Sequence, residues 1–295
     1  AVSVRADVVV IGAGIVGTFI AKLLTRKGRT VALIDRGEAA PLEQQPAFPP
    51  IECSADRHGG VYEARNHVLG GNGHYWGGVL LRPQSTGLGD VIGVDDAQVD
   101  RLAEDLEPHF RAAELDAGAP SPLLWRGYPA RSREAGPCSL VDYFLLTGKA
   151  RNLSARSLQE LRKSALCKIF TRARVLSFTR NSHNHISAIR LAQGDGLTDI
   201  QCSHVVVSAG TVDTLLMLQE HAESLGLPDT HCVGENLHDH IATPIAMIAN
   251  AANNRFMQDM MPLFGANGFS GRQFGLNNED VNQPRALLRF IPMLD

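Results

Sequence analysis

Long apolar runs are missing from this chain: no stretch approaches the ~18–20 residues needed to cross a bilayer. Basic charge is also in short supply, with 28 Lys and Arg against 31 Asp and Glu and a formal charge of −3. Nucleic-acid binders cluster basic residues on one face, so this balance argues against a large phosphate-binding surface. The 5 cysteines (Cys53, Cys138, Cys167, Cys202 and Cys232) are scattered and form no CxxC pair. An odd count at irregular spacing makes neither a disulfide framework nor a zinc site, so they read as reduced thiols in a cytoplasmic protein. No internal repeat or low-complexity array is present, and the opening AVSVRADVVVI runs straight into a buried-strand pattern, unlike a signal peptide.

What remains is an ordinary globular composition, 44% hydrophobic and 20% charged over 295 residues, enough for two domains. Ala6–Ile11 is apolar and β-branched, as suits a strand covered on both faces. Ile15–Arg26 then puts Ile15, Phe19, Leu23 and Arg26 along one helical face, with Ile20 and Leu24 adjoining. Gly28 stops the helix, Lys27 and Arg29 suit its negative end, and Thr30–Ile34 is the next strand. This is a βαβ unit of a parallel sheet.

Between strand and helix lies Gly12-Ala13-Gly14-Ile15-Val16-Gly17. In a dinucleotide fingerprint, Gly12 permits the tight turn, Gly14 lets a pyrophosphate approach the backbone, and Gly17 lets helix and strand pack closely. The helix N-terminus offers free N–H groups to the phosphates. Asp35 follows at the end of the next strand, where a carboxylate accepts from ribose hydroxyls; it favours a free 2′-OH, a preference that the adjacent Arg36 blunts. This fingerprint alone does not separate FAD from NAD.

Further on, Glu38–Gly60 is rich in Pro, Glu and Gln and reads as an excursion from the nucleotide-binding core. Asp95–Ala117 reads as a helix with Val99, Leu102, Leu106 and Phe110 near one face, interrupted by Pro108, and Gly118–Pro137 reads as a loop. Cys167–Phe178 and His185–Ala192 alternate as two strands joined by a turn at Asn181–Asn184. Val205–Ser208 is a further buried strand and Thr211–Leu225 the helix after it.

Four segments in order resemble the glucose–methanol–choline (GMC) oxidoreductases, a family of FAD-dependent alcohol and sugar oxidases and dehydrogenases. They are Gly12–Gly37; Val68-Leu69-Gly70-Gly71-Asn72-Gly73-His74-Tyr75-Trp76-Gly77-Gly78; Val205-Val206-Val207-Ser208-Ala209-Gly210-Thr211; and Val233-Gly234-Glu235-Asn236-Leu237-His238-Asp239-His240. The resemblance covers residues 6–240 and implies an α/β fold, a Rossmann-like FAD-binding domain (1–84 and 166–240) with part of a GMC-type substrate or cap domain (85–165 and 241–295). It implies cofactor contacts from Gly70, Gly71, Asn72, His74, Tyr75 and Trp76 in the second segment, from Ala209 and Gly210 in the third, and from Asp239 and His240 beside the ribityl or flavin in the fourth. It also places a backbone contact to adenine at Val175. Some members attach FAD through a histidine of the second segment. That position is Tyr75 here, with His74 one residue earlier, so non-covalent FAD is expected, attachment through His74 staying open. His67 stands where the family has Arg or Lys.

His231, His238 and His240 with Asp239 are also metal-ligand types, yet no fourth ligand supports them and the segment fits the flavin motif, so no metal is expected. In the family, a substrate hydroxyl loses a proton to a histidine near the C-terminus of a chain about twice this long, while a hydride passes to flavin N5. No residue here matches that base. Ala286–Leu294 reads as a strand entering a substrate domain, and Phe256, Met257, Met260, Met261 and Phe264 as an amphipathic core or interface helix, or else a substrate-pocket lining. The expected function is the FAD-binding component of an oxidoreductase acting on an alcohol or sugar hydroxyl, completed by a missing segment or a second polypeptide that supplies the catalytic histidine. A lyase-type or structural flavoprotein subunit, and an NAD-dependent dehydrogenase, are the alternatives.

Overall fold

The structure, a computed structural model, describes residues 2–38, 65–80, 93, 95, 97–98, 101, 133–135, 138–146, 152–235, 263–265, 268–276 and 287–289. Its contacts divide the chain into two compact units, Ala1–Trp76 with Asn152–Ala242, and Gly77–Arg151 with Thr243–Asp295. In chain order the first unit begins with β1 (Val2–Arg5), β2 (Val8–Ile11), α1 (Ile15–Arg26) and β3 (Val31–Ile34). The second unit follows with β4 (Val79–Leu80), β5 (Arg133–Ala135) and β6 (Cys138–Leu146). The chain returns to the first through α2 (Leu153–Lys163), β7 (Cys167–Phe170), β8 (Ala173–Arg180), β9 (Ile186–Gln193), β10 (Gly196–Gln201), β11 (His204–Val207), α3 (Thr211–Glu220) and α4 (Ala222–Leu225). The second unit ends with β12 (Leu263–Gly265), β13 (Gly268–Leu276) and β14 (Leu287–Arg289).

The first unit is built on an all-parallel sheet in the order β11-β2-β3-β7. Every residue of β2 and β3 is buried, which a run of Val and Ile tolerates only when both faces are covered. Alternate side chains serve opposite faces. Val8, Val10, Val31 and Leu33 pack with Ala21 of α1 and Leu158 and Leu161 of α2. Val9, Ile11, Ala32 and Ile34 pack with Phe178, Ile189 and Leu191 of a second sheet, ordered β1-β10-β9-β8. Each fully buried Leu or Ile here contributes about 1.5–3 kcal/mol over its exposed state.

The βαβ unit forms as the sequence predicts, and Gly28 ends α1 at φ +76°. The helix face is rotated from expectation. Gly17, Thr18, Ala21 and Lys22 are the buried residues of α1, while Ile15, Phe19 and Leu23 are half-buried. Small residues let the helix axis approach the strands closely, so apolarity alone does not mark the inner face. Lys22 reaches out of this contact to Glu160 of α2 (3.8 Å), with Arg26 on the same carboxylate (2.6 Å). α2 lies in the first unit, ahead of the return expected near residue 166, because its inner side of Ser154, Ser157, Leu158 and Leu161 packs there.

The strands expected around a turn at Asn181–Asn184 are β8 and β9, with Asn184 at φ +65°, but Cys167–Phe178 is broken at Arg172, φ +51°. In the second unit β6 and β13 pair antiparallel along their full lengths, flanked by β4 and β12, while β5 pairs with β6 and β14 with β13. Strand β5 occupies part of the expected Gly118–Pro137 loop, and the expected terminal strand is present over Leu287–Arg289. The readings of Glu38–Gly60, of the Asp95–Ala117 helix and of Phe256, Met257, Met260 and Met261 fall largely or wholly outside the described residues, while Phe264, grouped with those four as helical, stands in strand β12. Among the described residues no helix is long and apolar enough to cross a membrane.

Candidate functional site

Crowding forces the glycine turn after β2. Gly12 has φ +98°, and a Cβ there would lie 2.4 Å from the Ser208 carbonyl oxygen. A Cβ on Gly17 would lie 1.8 Å from the Gly12 carbonyl oxygen. These two glycines are therefore spent on packing β2, α1 and β11 together. Gly14 differs: nothing lies within 4 Å of where its Cβ would point. It caps α1 with no side-chain bond, and no acid occupies the first turn, so the helix presents N–H groups and positive dipole to the space beside Gly14.

The second glycine-bearing stretch arrives at that same place. Gly37 and Glu38 follow β3 and hold residues 67–69: Leu69 N–H donates to the Glu38 carbonyl (2.8 Å), and a Cβ on Gly37 would strike the Val68 nitrogen at 2.3 Å. Gly70 (φ +105°) and Gly71 (φ +51°) turn the chain, and a Cβ on Gly71 would touch the Gly14 Cα at 3.4 Å. Residues 57 apart in sequence (71 − 14) thus stand backbone to backbone.

A relay of hydrogen bonds fixes the loop from behind. Asn152 caps α2, its Oδ1 accepting from Ala155 N–H (3.0 Å) and from the Ser154 hydroxyl (3.0 Å). The amide orientation is thereby set, so Asn152 Nδ2 is the donor facing His74 Nδ1 (3.1 Å). His74 Nδ1 must accept, and Nε2–H then donates to the Leu69 carbonyl (3.0 Å). The Ser154 hydroxyl is also 3.0 Å from the Gly70 carbonyl.

Asp35 stands at the end of β3 with Oδ2 accepting from Ala13 N–H (2.7 Å) and Oδ1 from Gly37 N–H (2.8 Å). It ties the turn after β2 to Gly37 and keeps a further lone pair on each oxygen. Burial raises its carboxyl above the ordinary aspartate range despite those two N–H groups. Opposite it, Asp213 in the first turn of α3 takes Arg65 Nη2 on Oδ1 (2.6 Å) and His67 Nε2 on Oδ2 (3.1 Å). Burial works against the Asp213 charge, but His67 and Arg65 outweigh it and hold the carboxyl down at about 2.

These elements enclose a cavity of ≈ 780 Å³. Of the predicted residues, Gly12, Gly14, Ile15, Val16, Asp35, Arg36, Gly71, Asn72, Val175, Ala209 and Gly210 line it. Gly17, Gly70 and His74 stand behind the wall and brace it, as their contacts above require. Tyr75 is 51% exposed and Trp76 half-buried, and neither lines the cavity. The backbone turns at Gly70–Gly71 to face Gly14, and the residues after His74 lead on from that contact. Asp239 and His240 lie outside the described residues. The sequence reading missed Arg65, Asp213, Met217 and His221, all of which line it. An acid directly after Ala209-Gly210-Thr211-Val212 was the available signal for Asp213, but its partner Arg65 is 148 residues away. His221, which lines the cavity, packs edge-on against Phe178 (5.5 Å between centroids).

The geometry fits a dinucleotide. The space beside Gly14 has no side chain in it and lies at a helix N-terminus, as a phosphate requires, and the same cavity is lined by two acids, Asp35 and Asp213, and by Val175, Met217 and His221, groups that suit a ribose and a base. Residues 7–45 match the family of FAD dependent oxidoreductases. Two GMC-type oxidoreductases of Mycobacterium tuberculosis, from strains CDC 1551 / Oshkosh and ATCC 25618 / H37Rv, are each 27% identical over 280 residues, 82% of this chain and 42% of each relative. The resemblance to the GMC oxidoreductases holds. The chain spans less than half the length of those curated relatives. Among solved structures, pyridoxine 4-oxidase from Mesorbium loti shares the fold at a TM-score of 0.50 and 16% identity, over 73% of this chain and 52% of that one. FAD, the expected cofactor, is the cofactor of the family that the β2–α1–β3 segment matches.

Proposed function

We propose that this chain binds FAD non-covalently as the cofactor-holding part of an oxidoreductase acting on an alcohol or sugar hydroxyl. One observation carries the reading: the Gly71 backbone meets the Gly14 backbone, so two separated glycine stretches form one wall of a single cavity. An NAD-binding fold requires only the first of them.

Bound FAD supplies an oxidised flavin ring that accepts a hydride from the carbinol carbon. The chain's own residues bind and orient it. The first turn of α1 and the bare Gly14 backbone would hold the pyrophosphate, and the free lone pairs of Asp35 would take the ribose hydroxyls. Val175, Met217 and His221, which line the same cavity, would receive the adenine. Asn72, beyond Gly71, lines the cavity and would hold the flavin-bearing half of the cofactor. Both ring nitrogens of His74 are engaged, one by Asn152 and one by Leu69, which supports a flavin attached to no histidine of this loop. The base that takes the hydroxyl proton is a histidine from a further segment or a second polypeptide, within hydrogen-bond reach of the substrate. Cys167, Cys202 and Cys232 are free thiols, in keeping with residence in the cytoplasm.

The test is a titration of purified protein with FAD followed by acid precipitation. Saturable binding near one equivalent, with all flavin released to the supernatant, is expected. Failure to take up FAD, alongside uptake of NAD, overturns the reading, and flavin that stays with the precipitate overturns its non-covalent part. Bleaching of bound flavin by an alcohol or sugar when the complementary histidine-bearing chain is added tests the redox assignment.

A further inference from the structure

Beyond the cavity, the turn that follows α4 carries a second chemical group. Asp229, His231 and Cys232 stand in line: His231 Nδ1 is 2.5 Å from Asp229 Oδ2, and His231 Nε2 is 3.0 Å from Cys232 Sγ. The His231 backbone N–H also donates to Asp229 Oδ1 (2.9 Å), which locks the carboxylate beneath the ring. The backbone and ring N–H groups of His231 hold the Asp229 carboxyl below the usual aspartate range, so it is ionised at neutral pH. An ionised carboxylate only accepts, so Nδ1 carries the proton and Nε2 turns a lone pair toward the sulfur. A nucleophile, a base within hydrogen-bond reach and a third group orienting the base are the parts of an activated nucleophile. The turn is anchored to α3, where the Gln219 side chain donates to the Val233 carbonyl (2.8 Å).

Exposure separates this thiol from two others. Cys202 is buried and Cys167 half-buried, and burial pushes both thiols up to about 11, whereas Cys232 is exposed.

We propose that Cys232 is a nucleophilic thiol that reduces hydroperoxides, with His231 as its base and Asp229 as the group that positions His231. The thiol proton passes to His231 Nε2. The sulfur attacks the near oxygen of the peroxide, an S–O bond forms and the O–O bond breaks. Protonated His231 returns its proton to the departing oxygen as water or an alcohol. The sulfur loses two electrons to become a sulfenic acid, the peroxide gains them, and His231 is again neutral. This site is independent of the flavin reading, since none of Asp229, His231 and Cys232 lines the cavity.

The experiment treats the full chain with hydrogen peroxide in the presence of dimedone and follows labelling of each cysteine by peptide mass spectrometry. Cys232 should label at least tenfold faster than free cysteine at neutral pH. His231→Gln should bring it down to the free-thiol rate. Asp229→Asn should do the same without touching the sulfur, because an amide N–H against Nδ1 selects the other tautomer and turns Nε2 into a donor. Iodoacetamide, run in parallel, reports thiol activation without a peroxide. Circular dichroism confirms that each variant is folded. A free-thiol rate in the unmodified chain, or a fast rate that both variants keep, overturns the proposal. Fast alkylation with an ordinary peroxide rate overturns the assignment of peroxide as the substrate.

Discussion

Replacing Asp213 by Asn tests whether charge holds the cavity wall opposite Asp35 in place. The carboxylate receives Arg65, whose side chain is only 4% exposed, and His67, while 21% of its own side chain reaches solvent. Its carboxyl falls from 3.8 to about 2, and a drop of that size is worth about 2 kcal/mol at roughly 1.4 kcal/mol per pH unit. Asparagine keeps the shape but offers no countercharge to Arg65, and leaving a charge so placed costs about 3–5 kcal/mol in a fully buried pair. Partial exposure of Asp213 screens some of this, so Asp213→Asn should destabilise the chain by about 2–3 kcal/mol at pH 7. The sign with pH follows from the depressed value. The stabilisation is present in full above the ordinary aspartate range near 4, and is lost as pH falls toward about 2. Urea unfolding at a series of pH values reads this directly as the gap in midpoint between the native chain and the variant. The gap should be constant from pH 7 to about 5 and close below about 4. Arg65→Met combined with Asp213→Leu should cost less than Asp213→Asn alone, because it removes both charges. Equal midpoints at pH 7, or a gap as wide at pH 2.5 as at pH 7, would refute the reasoning.

Three further outcomes are expected. Gly14→Ala should fold within about 1 kcal/mol of the native chain, since its Cβ meets nothing within 4 Å, yet it should weaken FAD binding at least tenfold by filling the phosphate position; fluorescence titration checks this. Gly17→Ala should instead cost about 3 kcal/mol or more in a thermal or urea melt, because its Cβ would fall 1.8 Å from the Gly12 carbonyl oxygen. Asn152→Ala should cost about 1–2 kcal/mol through the lost cap and the lost donor to His74. Asn152→Ser should recover the cap alone, and ¹⁵N spectra of the His74 ring should show the proton on Nε2 in the native chain and a mixture of tautomers in either variant.

Local pattern settled much of this molecule. A β-branched run, three spaced glycines and an amphipathic stretch specify strand, turn and helix, since each depends on backbone conformation and burial within about thirty residues. The same pattern marks Gly14 as the open position and Asp35 as the acid beside it. Partnership was decided only in three dimensions. Ser154 reaches Gly70, Asn152 sets the tautomer of His74, and Asp213 meets Arg65 across 148 residues. Strand β1 leaves its neighbour β2 to pair with β10, and β10 itself escaped notice although Gly194, at φ +56°, turns the chain into it. The buried face of α1 was misread because small residues allow close approach without announcing it by hydrophobicity. Periodicity says how much of a segment is covered; only the returning chain decides what covers it, and a pairing of charges or a hydrogen-bond relay has no period to read.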